Sequence, residues 1–222
     1  VGKLEIEELM VKTMDFYDQE RIKLQLGVRA VKLDKERKFV ETSEGKQYGY
    51  DKLLIATGID PIKPPYPGED LKGIFTMHYL YHADQMRIIT KEAKETVVVG
   101  GGLLGMDMAE ELKKAGLEVK FLVRRHVLGD PFFDEYGCKL IQEEFTRVGV
   151  NVFTDTEVQA FEGADGKLVK ILTKDGKQIE SSFCFLSIGA VPAVNWLQES
   201  GLKIDKGVLV DGHLQCSEKD IF

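Results

Sequence analysis

The run Val97-Val98-Val99-Gly100-Gly101-Gly102-Leu103-Leu104-Gly105 constrains this 222-residue chain more than any other feature. A bare G-x-G-x-x-G is a weak signal. Here the glycines follow a short apolar strand pattern and open a helix pattern with Leu104, Met108 and Leu112 on one face, closed by Gly116. A second strand pattern at 119–123 completes the context that a dinucleotide-binding β-α-β unit requires. Gly100 permits the tight turn, Gly102 lets backbone approach a pyrophosphate, and Gly105 lets the helix pack close to the sheet. Gly101, Leu103 and Leu104 complete the loop, where phosphates meet the positive end of the helix dipole. The competing reading, a glycine-rich turn of another α/β fold, does not explain all three glycines in that setting.

About 20 residues past such glycines, an NAD-preferring site places an acidic residue on the ribose hydroxyl. This chain has Val123-Arg124-Arg125 there, with Val123 at the end of the second strand. A carboxylate would repel a 2′-phosphate, whereas guanidinium groups grip it with paired charge-assisted hydrogen bonds. The pattern leans toward NADP(H) and leaves NAD open, since a charged pair also serves as a solvated turn.

Residues 5–20 are expected to be helical, followed by strands at 22–26, 28–33 and 39–42 and a buried strand at 53–55 ending in Ala56-Thr57-Gly58. The proline-rich stretch 61–67 is a linker, because proline stiffens the chain and denies it ladder hydrogen bonds. A helix at 77–91 precedes the glycine motif; a helix at 133–148 and a strand at 152–153 follow it. Strands at 158–161, 168–173 and 178–182 alternate around the turns Asp165-Gly166 and Asp175-Gly176, and a strand at 183–186 ends in Ser187-Ile188-Gly189. Residues 28–61 and 158–192 thus share one plan: a small antiparallel meander, an apolar strand, two small or apolar residues and a glycine, then a proline. The offset of 131 residues between Gly58 and Gly189 is long for a solenoid repeat and suits a duplicated domain. The expected fold is α/β, with two related Rossmann-like nucleotide-binding modules, each a three-layer arrangement of parallel sheet plus antiparallel meander. The first module is incomplete, because its glycine-bearing unit would have to precede residue 1. The expected division is a partial FAD-binding module at 1–66, a linker and helix at 67–95, an NAD(P)H-binding module at 96–192 and a return segment at 193–222.

Composition narrows the function classes. A net charge of −7 and a pI near 5.3 argue against a nucleic-acid surface, which needs a basic face. No stretch reaches the roughly 20 apolar residues of a membrane span. The start Val1-Gly2-Lys3-Leu4-Glu5 has neither a signal-like apolar run nor an initiator Met, which suggests sequence lost upstream. Cys138, Cys184 and Cys216 form no CxxC, and the odd count suggests reduced thiols, a cytoplasmic setting and small buried side chains. His78 and His82 stand four apart without the glutamate of a zinc motif, so no metal site is expected.

The stretches LLIATG with a following proline, PGEDLKGIFT, GGGLLGMDMAEEL, SIGAVP and GVLVDGHLQCSEKDIF, in that order, resemble the FAD-dependent pyridine nucleotide-disulfide oxidoreductase family over nearly the whole chain. That family includes glutathione reductase, NADH oxidase, ferredoxin and rubredoxin reductases and the flavin subunit of nitrite reductase. The resemblance implies hydride transfer from NAD(P)H to FAD and electron transfer onward to a small molecule or small electron carrier. It further implies a whole protein that is a homodimer or a subunit of a redox complex. By resemblance, Ala56, Thr57 and Gly58 line the flavin dinucleotide, Arg29 and Ala30 approach its adenine, and Ile188-Gly189-Ala190 border the nicotinamide cofactor. Departures are equally plain. The family's first G-x-G-x-x-G is absent, Leu103 stands where an aromatic gate is frequent, and Asp107 replaces a usual glutamate near the nicotinamide. The cofactor performs the redox step, so no residue is assigned as catalytic and the named side chains are binding residues. Two alternatives stay open: a flavin-free NAD(P)-dependent dehydrogenase, and a dinucleotide-binding scaffold module within a larger complex.

Overall fold

A computed structural model describes residues 6–222; the expectations for the first five residues lie outside it. In chain order, a 3-10 turn at Ile6–Leu9 and helix α1 (Met14–Gln19) lead to strands β1 (Ala30–Asp34), β2 (Phe39–Thr42) and β3 (Gln47–Gly49). Strands β4 (Ile59–Pro61) and β5 (Ile74–Phe75) precede helix α2 (Leu80–Glu92). The central run is β6 (Glu95–Val99), α3 (Leu103–Lys114), β7 (Glu118–Leu122), α4 (Glu135–Arg147) and β8 (Asn151–Phe153). Strands β9 (Val158–Ala164), β10 (Lys167–Thr173), β11 (Gln178–Glu180), β12 (Cys184–Leu186) and β13 (Ala190–Pro192) complete the order. Among the described residues, Pro61–Ala190 form one compact unit, and residues 6–60 with Val191–Phe222 form a second.

The first of these units has three layers. Its five-stranded sheet runs β5-β12-β6-β7-β8, with every pairing parallel. Strand β6 is buried on both faces, and the two-residue side-chain period of a strand sends Val98 one way and Val97 and Val99 the other. Val98 joins Phe121, Phe185, Met86, Ala109 and Leu112 beneath helices α2 and α3. Val97 and Val99 join Phe161, Leu168 and Ile171 beneath the antiparallel meander β9-β10-β11. A parallel sheet needs such cover on both faces. Asp165 and Gly166 both have positive φ (50° and 73°), the conformation a two-residue hairpin turn demands.

The second unit repeats the antiparallel meander as β1-β2-β3. Leu33 of β1 packs with Leu197, Leu202, Cys216 and Ile221, and Trp196 lies partly buried against that cluster. The expected duplication recurs in the backbone. Gly58 and Gly189 are both left-handed, with φ of 71° and 111°. Within one unit the Ala193 N–H donates to the Gly58 carbonyl, and within the other the Ile62 N–H donates to the Gly189 carbonyl, both at 3.0 Å. The two bonds are reciprocal: their donors, Ala193 and Ile62, are 131 residues apart, as are the two acceptor glycines.

Several expectations fail. The helix expected over 5–20 is broken between Leu9 and Met14, with Val11 91% exposed. A short helix without tertiary burial is marginal in water, and these apolar side chains find little to pack on. Residues 22–26 form no strand, for want of a ladder partner among the described residues. The buried strand expected at 53–55 is a single parallel bridge from Leu53 to Ile221, with Leu54 71% exposed. The Ile55 N–H donates to the Phe222 carbonyl at 2.7 Å, so one edge of this segment is paired and its other face is uncovered. Cys138, Cys184 and Cys216 are all buried free thiols, and burial pushes the Cys184 thiol up.

Helix α2 starts three residues later than the sequence pattern suggests because of a cap. His82 Nδ1 accepts from the backbone N–H groups of His78 (3.1 Å) and Tyr79 (3.2 Å), which sets the N-cap at Tyr79. Burial, with His78 and Lys63 nearby, holds His82 below the usual histidine range. A depressed histidine favours the neutral folded form, so this contribution is present above about pH 6.5 and is lost as pH falls below it. The hydrogen-exchange protection factors at the start of α2, corrected for the intrinsic pH dependence of amide exchange, are therefore expected to fall between about pH 7 and about pH 5.5. His82→Asn, which keeps an acceptor but does not titrate, should flatten that dependence; an equal pH response in the variant would refute the assignment.

Candidate dinucleotide-binding site

The glycine loop joins the C-terminal end of β6 to α3, at the edge of the parallel sheet where ligands bind in open α/β folds. Its glycines have separate reasons. Gly100 has φ of 112°, and a Cβ there would lie 2.0 Å from the Ser187 carbonyl oxygen beyond β12. A Cβ on Gly101 would lie 2.7 Å from Val123 Cγ1, and one on Gly105 only 1.9 Å from the Gly100 carbonyl oxygen. All three are required by the protein's own packing. Gly102 differs: it is the N-cap of α3 with an ordinary φ of −82°, and its nearest neighbour would be Phe132 Cε2 at 3.7 Å. The fold has room for a side chain at Gly102, so its own packing does not require a glycine there.

No side chain caps α3, and the amides of its first turn have no intrahelical acceptor. They form a concentrated donor site with the partial positive charge of the helix start. Leu103 and Leu104 are exposed on that first turn, and Asp107 is exposed at the start of the second. Val123 sits one residue past β7, but its side chain is buried beneath Gly101 with only 2% exposure. Arg124 is exposed and has no ion-pair partner among the described residues. Arg125 is engaged: its Nη1 donates to Asp130 Oδ2 at 2.6 Å. His126 Nδ1 lies 2.8 Å from Asp155 Oδ2.

The structure thus brings the glycine loop, the segment 123–125 and the strand end at 187–189 to one rim. The Ser187 N–H donates to the Val99 carbonyl at 2.8 Å, which seats Ile188 beside the Gly100 turn, with Gly189 and Ala190 exposed beyond it. Arg29, Ala30, Ala56, Thr57 and Gly58 belong to the other unit. There the Arg29 carbonyl accepts the Ser43 N–H, Ala30 opens β1, and Thr57 Oγ1 donates to the Ala193 carbonyl at 2.9 Å. Residues 56–58 are exposed, and a Cβ on Gly58 would meet nothing within 4 Å.

Sequence reasoning passed over Phe132 and Asp130. Phe132 faces the Gly102 position and is 55% exposed. The signal was available, since the apolar pair Phe132-Phe133 interrupts a polar loop without helical or strand period. The Asp130 pairing leaves no sequence signal, because nothing in a loop's composition says which charges meet.

The family described as "Pyridine nucleotide-disulphide oxidoreductase" matches this chain over residues 3–222. The chain belongs to the pyridine nucleotide-disulphide oxidoreductase family. Among curated members of that family, "Nitrite reductase [NAD(P)H]" of Bacillus subtilis is 28% identical over 221 residues, covering 100% of this chain and 27% of the relative. "NADH-dependent phenylglyoxylate dehydrogenase subunit epsilon" of Aromatoleum evansii is 28% identical over 221 residues, covering 100% of this chain and 52% of the relative. Among solved structures, the covalent putidaredoxin reductase–putidaredoxin complex contains a chain that superposes with a TM-score of 0.93 at 26% identity, covering 99% of this chain and 54% of that one. The chain therefore spans between about a quarter and about half of the relatives it matches. Fold class and family accord with the reading of the sequence; no helix among the described residues is long and apolar enough to cross a membrane.

Within this pyridine nucleotide-disulphide oxidoreductase chain, the separate reasons for the glycines separate their substitutions. Gly102→Ala is expected to change stability by less than about 1 kcal/mol, a modest N-cap effect, while sharply weakening dinucleotide binding. Gly105→Val drives a side chain into the Gly100 carbonyl and should cost about 1–3 kcal/mol or more, lowering the melting temperature as well as binding. Calorimetric titration and thermal melts of both variants check this. Dinucleotide affinity unchanged in Gly102→Ala would remove the site.

Proposed function

We propose that this chain carries the nicotinamide-dinucleotide module of a flavoprotein oxidoreductase that takes hydride from NAD(P)H onto FAD and passes electrons to a small molecule or small carrier protein. The observation that carries the reading is Gly102: an N-cap glycine that the fold itself does not require, at an uncapped helix start, on the rim of a parallel sheet. Family membership supplies the flavin half of the proposal. Bound FAD would accept hydride and release electrons, chemistry that no side chain here needs to perform.

In this reading, Gly100–Gly105 hold the pyrophosphate through backbone amides, and Leu103 and Leu104 present an apolar edge. Arg124, exposed and without an ion-pair partner among the described residues, is the side chain suited to a 2′-phosphate. Ile188, Gly189, Ala190 and Asp107 border the nicotinamide end, while Arg29, Ala30, Ala56, Thr57 and Gly58 line one strip of the flavin site. The relatives' names support an electron-transfer partner: one reductase is captured with putidaredoxin, and another relative is a subunit of a larger dehydrogenase. In this reading the whole protein is a homodimer or a subunit of such an assembly and is cytoplasmic.

Arg124→Ala is expected to weaken NADPH binding roughly 10–150-fold, the loss of a charge-assisted contact worth about 1.5–3 kcal/mol, with NADH nearly unaffected. Equal losses for the two nucleotides in a titration would exclude the 2′-phosphate role. The 222-residue chain itself should purify without a stoichiometric flavin absorbance, because residues 56–58 are exposed and Leu54 faces solvent, whereas ligand pockets of this type bury about 70–90% of their ligand. A one-to-one flavin content would show that this strip closes a site by another route.

A further inference from the structure

The loop after β7 contains an arrangement that the reading of Arg124 and Arg125 as an equivalent pair does not use. Leu128 is fully buried and packs under Gly101, which ties the loop to the base of the glycine turn. On either side of that anchor stand Arg125 and Asp130, whose side chains meet at 2.6 Å while remaining half and one-third exposed. Two residues past Asp130, Phe132 faces the Gly102 position. The pair therefore lies on the wall of the dinucleotide site, on the side where the adenosine ribose of such a ligand sits in this fold.

We propose that Asp130 is a specificity-determining residue, which sets the preference between NADH and NADPH by holding Arg125 in an internal ion pair. The inference rests on the reading of this rim as a nicotinamide-dinucleotide site. A 2′-phosphate is a near-dianion that binds guanidinium groups through paired charge-assisted hydrogen bonds. With Asp130 attached, Arg125 presents a neutral pair, and the Asp130 carboxylate adds repulsion toward a second anion. Arg124 alone remains to recognise the phosphate, so the chain has one effective cation where its sequence displays two. NADH lacks the phosphate and makes no demand on either arginine. An exposed ion pair is weak, and so it can yield to a competing anion.

The test is titration of the 222-residue chain with NADH and with NADPH, followed by nucleotide fluorescence or calorimetry at low salt. Asp130→Asn, isosteric and uncharged, is expected to tighten NADPH binding roughly five- to tenfold and to move NADH binding less than twofold. Arg125→Ala alone should weaken NADPH binding, because it leaves the Asp130 carboxylate unpaired beside the 2′-phosphate, and should move NADH binding less than about twofold. In the double variant the gain over the parent from Asp130→Asn should vanish. An unchanged NADPH-to-NADH ratio in Asp130→Asn overturns the proposal, as does a gain that persists in the double variant, which would reduce Asp130 to a repulsive charge. Failure of the unmodified chain to bind either nucleotide overturns the reading of the site itself, and this inference with it. Melting temperatures within a few degrees of the parent confirm that each variant is folded, and Asp130→Ser serves in place of an unfolded Asp130→Asn.

Discussion

The close approach of backbone to backbone where β6 turns into α3 governs this structure. The Gly100 carbonyl fills the space where a side chain of Gly105 would be, and the Ser187 carbonyl fills the space where a side chain of Gly100 would be. Those two contacts press the helix start against the turn and press the turn against the neighbouring strand end. They also aim the unbonded amides of α3 outward at the rim of the sheet, so the donor array is a by-product of packing. The same close packing buries Val123 and Leu128 under Gly101, and that in turn fixes where the arginine-bearing loop emerges.

The sheet that carries this rim is held by two dissimilar layers. Helices bury one face through Phe121, Ala109 and Leu112; an antiparallel meander buries the other through Phe161, Leu168 and Ile171. Each face is apolar for the same reason, namely that β6 and β7 must exclude water on both sides to keep parallel ladders stable. The meander also occurs in the second unit, where the equivalent of the sheet is reduced to the single bridge between Leu53 and Ile221. The left-handed backbone at both Gly58 and Gly189 shows that the duplication reaches the level of backbone conformation.

Charge on the rim is arranged by tertiary contacts. The chain is acidic overall, at −7, yet two arginines and a histidine stand together after β7. Two of those three are already matched with carboxylates, Arg125 with Asp130 and His126 with Asp155. Arg124 alone keeps an uncommitted charge. Reading cofactor preference from the number of basic residues would therefore overcount the cations available to a phosphate.

Much of this was legible in the residues themselves. The order of strands and helices from 95 to 186, the hairpin turns at Asp165-Gly166 and Asp175-Gly176, and the duplication at Gly58 and Gly189 all follow from local rules of period and turn chemistry, which need no knowledge of distant neighbours. The glycine fingerprint was legible for the same reason, since its conformational demands are local. What failed was whatever depended on a partner. Residues 14–19 form a short helix instead of a long one, 22–26 form no strand, and Leu54 faces solvent, because periodicity declares a side chain ready for burial but cannot supply the surface that buries it. The late start of α2 came from a histidine that caps it through side-chain geometry, and the pairing of Arg125 with Asp130 came from a loop pinned by Leu128. By itself the sequence determined the fold class, the glycine loop and the repeat, whose causes lie within a few bonds of each residue. Tertiary structure alone decided which glycine has open space beside it and which arginine is without an ion-pair partner among the described residues, because both depend on atoms brought close only by folding.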